Sequence, residues 1–133
     1  MSIKARNIFS VVIGTMIIFV VGFSLFPILE FLIKKSLVAQ IHNRFFFDSI
    51  LYELIWLGIA SFLGGFITST ISKTVFHSLI TGALALTMIL LTGIFVNNNF
   101  SLITLLTAIS SFFFCVMGGL TQKYIAIKKY KNE

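Results

Sequence analysis

The chain has 133 residues, of which 58% are hydrophobic and 11% charged, and its formal net charge is +6. A soluble domain of this size carries about 25% charged residues. With a mean hydropathy of +1.06, the composition excludes a water-dispersed monomer and a disordered chain, and it leaves one domain, residues 1–133, dissolved in a membrane.

Residues 1–7 are short and basic, with Lys4 and Arg6, and residues 8–29 carry no charge. The apolar run is longer than a signal-peptide core, and no A-x-A-like site follows it. It predicts a retained transmembrane helix over residues 8–33. Pro27 removes one backbone hydrogen bond and is expected to bend that helix. Glu30 and Lys34 stand four apart, in the favourable order for an ion pair near the interface. Residues 34–48 form the one substantial loop. There Leu37, Val38, Ile41 and Phe45 share a helical face, which suits a short helix lying in the interface. The alternative is that the first helix continues outward.

The second apolar stretch predicts a helix over residues 49–72. Asp48 and Ser49 offer N-cap oxygens to its first turn. Tyr52 and Trp56 fall where interfacial aromatics sit. Gly58, Ser61, Gly65, Thr68 and Ser72 recur at spacings of three and four and so share one face. The short break at residues 72–74 requires a tight antiparallel turn into a third helix over residues 75–96, with a weaker small-residue stripe at Ser78, Gly82, Ala85 and Thr92. Asn97, Asn98 and Asn99 mark a turn. The fourth helix is expected over residues 101–127, with Ala108, Ser111, Cys115, Gly118 and Gln122 on one stripe.

The expected fold is therefore an all-α membrane protein, a bundle of four transmembrane helices built from two antiparallel hairpins. The candidate helix-packing positions are Gly58, Ser61, Gly64, Gly65, Ser111, Cys115, Gly118 and Gly119, because small residues let helix backbones approach closely in lipid. With four crossings, seven of the ten Lys and Arg residues share the side of the termini: Lys4, Arg6, Lys73, Lys123, Lys128, Lys129 and Lys131. The excess of positive charge predicts that both termini are cytoplasmic and that the protein resides in the cell membrane.

Ionisable groups inside a membrane are functional candidates by default. Glu30, Glu53 and His77 are the candidates for a transport site or ion pair, with Asp48 beside them. All fall near expected helix ends, with Glu53 roughly 6 Å into the second helix. No cofactor or metal site is expected, since no Cys or His residues stand at ligand spacing. No interleaved basic and aromatic surface points to nucleic acid. In size and layout the chain resembles the small multidrug exporters, which carry an essential acidic residue within the first helix. The matching stretch here is uncharged until Glu30.

These observations predict a non-enzymatic accessory or scaffold subunit that acts by helix–helix interaction. Its partners would be the lipid bilayer and another membrane protein or a second copy. The alternative is a small homo-oligomeric transporter or channel with Glu53 near its path.

Overall fold

A computed structural model describes residues 2–36, 45–97 and 102–131. They form α1 (Ile3–Ser36), α2 (Phe45–Ser72), α3 (Val75–Asn97) and α4 (Leu102–Lys131). Each helix contains a stretch long and apolar enough to cross a membrane. The protein is a multi-pass membrane protein with an all-α, four-helix fold.

Two helix starts differ from expectation. α1 begins at Ile3, well before residue 8, because Ser2 caps it. The Ser2 Oγ accepts from the backbone N–H of Ala5 at 3.2 Å, and the Ser2 carbonyl accepts from the N–H of Arg6 at 3.0 Å. The cap satisfies a donor that would otherwise face the headgroups unpaired. α2 begins at Phe45, so Asp48 and Ser49 lie inside the helix and do not cap it. Residues 37–44, which include most of the expected interfacial helix, lie outside the described residues. α1 runs on through Pro27 to Ser36.

The expected aromatic anchor of α2 is also placed differently. Trp56 lies eleven residues after Phe45, roughly 16 Å along the helix. It is 4% exposed and packs within the bundle, where an interfacial aromatic was expected.

The α2–α3 turn is as short as the sequence requires. Lys73 adopts a positive φ of 61°, and its N–H donates to the Ser69 carbonyl at 2.8 Å. This is the left-handed residue that ends many helices, normally a glycine or asparagine. Ser72 Oγ closes the turn by donating to the Thr68 carbonyl at 2.9 Å and accepting from the Thr74 N–H at 3.4 Å.

α1 pairs with α2, and α3 pairs with α4, as antiparallel hairpins. The hairpins join chiefly through α2 and α4, which make the most extensive contact in the bundle. α2 and α4 run in the same direction: Ser61 meets Ser111 near one end, and Ser69 meets Gln122 toward the other. Among the described residues α1 and α4 do not touch, whereas α2 and α3 each touch all three other helices.

The interior inverts the pattern of a water-soluble bundle. Ser61, Thr68, Ser78, Thr81 and Ser111 are fully buried, while Phe113 and Met16 are more than 60% exposed. In water such an exterior would aggregate. In lipid it is solvated, and association rests on close packing and interhelical hydrogen bonds.

Candidate functional site

The centre of the molecule is the contact of α2 with α4. An ideal Cβ added at Gly65 would overlap the carbonyl of Cys115, and one added at Gly118 would overlap the carbonyl of Phe62. The two backbones therefore touch directly, each through the other's glycine. One turn away along the same seam, Ser61 and Ser111 share a buried hydrogen bond. Gly58 receives the ring of Phe114, with ring atoms 3.0 Å from where its Cβ would stand.

The two Gly-Gly pairs do the same work in different places. Adjacent helical residues point about 100° apart, so each pair opens one helix to two neighbours at a single level. Gly65 faces α4, while Gly64 faces α1, where a Cβ would lie 2.7 Å from the Gly14 carbonyl. Gly118 faces α2, while Gly119 faces α3, where a Cβ would lie 2.7 Å from Cβ of Ser78.

Two knots of hydroxyl groups flank these contacts. In the first, Thr68 Oγ1 donates to the Gly64 carbonyl at 2.8 Å, with the Ser10 carbonyl of α1 also in reach at 3.2 Å. The hydroxyl of Thr81 on α3 stands 3.2 Å from the same oxygen. In the second, Ser78 Oγ donates to the Gly65 carbonyl at 2.9 Å, and Cys115 Sγ lies 3.3 Å from the Ser78 carbonyl. Three helices meet at each knot: α1, α2 and α3 at the first, and α2, α3 and α4 at the second. Nearer the end of the bundle, Ser69 Oγ donates to Gln122 Oε1 at 3.2 Å.

The structure thus brings together all eight small residues singled out from the sequence, but not on one seam. Gly58, Ser61, Gly65, Ser111, Cys115 and Gly118 line the α2–α4 contact, whereas Gly64 and Gly119 turn to α1 and α3. On α3 the stripe holds for Ser78, Gly82 and Ala85. It fails at Thr92, which is exposed and bonds back to the Met88 carbonyl at 2.8 Å. Such back-bonding satisfies a hydroxyl that faces lipid. Sequence reasoning missed Ser10, Gly14 and Thr81. The spacing of Ser10 to Gly14 is the same small-x-x-x-small signal that marked α2 and α4.

Of the ionisable candidates, His77 stands apart from this centre. His77 lies in the first turn of α3, where its Nδ1 is hydrogen-bonded to the Thr74 hydroxyl and its ring meets Phe76 edge-on at 5.9 Å. Glu53 is the ninth residue of α2, roughly 12 Å from the helix start, twice the depth expected. The side chains of Glu53, Glu30 and Asp48 lie outside the described residues. Among the described residues no three His, Cys, Asp or Glu groups gather as metal ligands.

Lys4, Lys73, Lys123, Lys128, Lys129 and Lys131 are exposed and Arg6 is half-buried, all at the end of the bundle that holds the start of α1, the α2–α3 turn and the end of α4. No family model matches this chain, and no curated protein or solved structure shows a significant match to it.

Proposed function

We propose that the protein is a non-enzymatic accessory or scaffold subunit of the cytoplasmic membrane, with both termini in the cytoplasm, acting by helix–helix interaction. One observation carries this reading. The interior is closed by backbone contact at Gly65 and Gly118, and its hydroxyls are engaged by one another and by backbone carbonyls. What the molecule offers to its surroundings is its exterior. On α3, Phe76, Ile80, Leu84, Met88 and Leu91 are exposed at spacings of four and three, a ridge for a partner helix in lipid. The excess of Lys and Arg at the end holding the termini supports the cytoplasmic orientation.

Transport by a homo-oligomer is the competing reading, and the depth of Glu53 along α2 is what favours it. Proteoliposomes loaded with a pH-sensitive dye separate the two. The accessory role predicts no protein-dependent proton flux and no effect of Glu53→Gln. A flux that Glu53→Gln abolishes at equal protein level would establish the transport reading instead. Reporter fusions at either terminus test the orientation independently.

A further inference from the structure

We propose that the basic end of the bundle holds an anionic glycerophospholipid with a hydroxyl-bearing headgroup, bound between the start of α1 and the α2–α3 turn. Two consecutive residues carry the inference. The Nε of Arg6 and the Oδ1 of Asn7 are both buried from solvent, and neither has a hydrogen-bond partner in the protein. An N–H and an amide oxygen withheld from water and left unpaired are costly, so such atoms mark places where a further group completes the structure.

The surroundings define that group. The Ser10 carbonyl meets Thr68 of α2. One helical turn toward the end of the bundle, α1 therefore presents Arg6 at the level where α2 reaches Ser72 and Lys73. Lys4 and Lys73 are exposed there, and none of the four Asp and Glu residues of the chain falls in α1's first turns or in the α2–α3 turn. An anion complements this charge. Ile8 and Phe9 are exposed by 68% and 51% on this stretch of α1, the outward apolar surface beside which acyl chains lie in a bilayer.

The paired donor and acceptor narrow the headgroup. Arg6 requires an acceptor, which a phosphate supplies in charge-assisted form. Asn7 Oδ1 requires a donor. A choline headgroup supplies neither a net negative charge nor a donor. Phosphatidylglycerol supplies a net negative charge together with hydroxyl donors. Basic pockets at the ends of transmembrane helices bind anionic headgroups in this manner. The site depends on membrane insertion and not on the accessory role proposed above.

Native mass spectrometry of the full chain, released from nanodiscs holding equal amounts of phosphatidylglycerol, phosphatidate and phosphatidylcholine, tests the assignment. The expected result is retention of phosphatidylglycerol over phosphatidylcholine by about tenfold or more, since each cation near the headgroup adds about a factor of five. Arg6→Gln should lower that retention about fivefold, while Lys128→Gln with Lys129→Gln, which removes more charge, should change it by less than about twofold. Asn7→Ala should keep the preference for anionic lipid over phosphatidylcholine but lower the retention of phosphatidylglycerol. If Arg6→Gln does not fold, Lys73→Gln and Asn7→Ala carry the test. Equal retention of all three lipids would overturn the proposal. So would a tail variant that loses as much lipid as Arg6→Gln, or displacement of the lipid by inorganic phosphate.

Discussion

Gly65 of α2 rests directly on the carbonyl of Cys115 of α4, with no room between the two backbones for a single methyl group. Two helices that run in the same direction repel through their parallel dipoles. Their close approach is stable because dispersion contact and the flanking hydroxyl bonds outweigh that repulsion.

Substituting at this contact should be costly, and the chain contains its own control. Gly65→Ala and Gly118→Ala each drive a methyl group into a carbonyl of the facing helix, and each should destabilise the fold by about 3 kcal/mol. Among the described residues, nothing lies within 4 Å of the would-be Cβ of Gly22. Gly22→Ala should be neutral or stabilise by up to about 1 kcal/mol, since alanine is the better helix former. Equilibrium unfolding in mixed micelles measures all three.

The bond between Ser61 and Ser111 makes a separable prediction. Either serine changed alone to alanine leaves the other hydroxyl buried without its partner, at a cost of about 1 kcal/mol. The double variant should cost less than the sum of the two single variants. A double-mutant cycle should return a coupling of about 0.6 kcal/mol and no more than about 1.7 kcal/mol, the range measured for interhelical bonds in lipid.

Thr68 is the hub of the junction of α1, α2 and α3. Thr68→Val keeps its shape and removes the hydroxyl, which should destabilise by about 1 kcal/mol and loosen α1 from α2. Thr68→Ser keeps the hydroxyl and should be milder. Hydrogen exchange read on the α1 amides near Ser10 reports the loosening directly.

Lys73 holds a left-handed conformation that a side chain disfavours. Lys73→Gly should raise stability by up to about 1 kcal/mol, and Lys73→Val should lower it by a similar amount. Thermal unfolding followed through the buried Trp56 gives the sign of each change.

These contacts also show what a one-dimensional reading captures. The stripes on α2 and α4 were legible because small residues repeat at helical spacing within otherwise bulky apolar runs. Which neighbour each residue meets was not legible. Gly64 and Gly65 are adjacent in sequence yet serve α1 and α4, because partner choice depends on how three helices pack at one level. The left-handed Lys73 was hidden because residue type there argues against that conformation. The early start of α2 was hidden because Phe45, Phe46 and Phe47 read equally well as loop anchors and as helix. Counted from Phe45, Glu53 stands twice as far along its helix as expected, and Trp56 is buried in the bundle.

The accessory role is tested most directly by recovering the tagged, full chain from its native membrane in nanodiscs. The recovered particles would be sized, and their proteins identified and quantified by mass spectrometry. The account predicts one larger membrane protein at stoichiometric ratio, retained by wild type and lost when Leu84 and Met88 on the exposed ridge of α3 are replaced by lysine. A clean homo-oligomer with no second protein would contradict it and would make Glu53 the first residue to examine for transport.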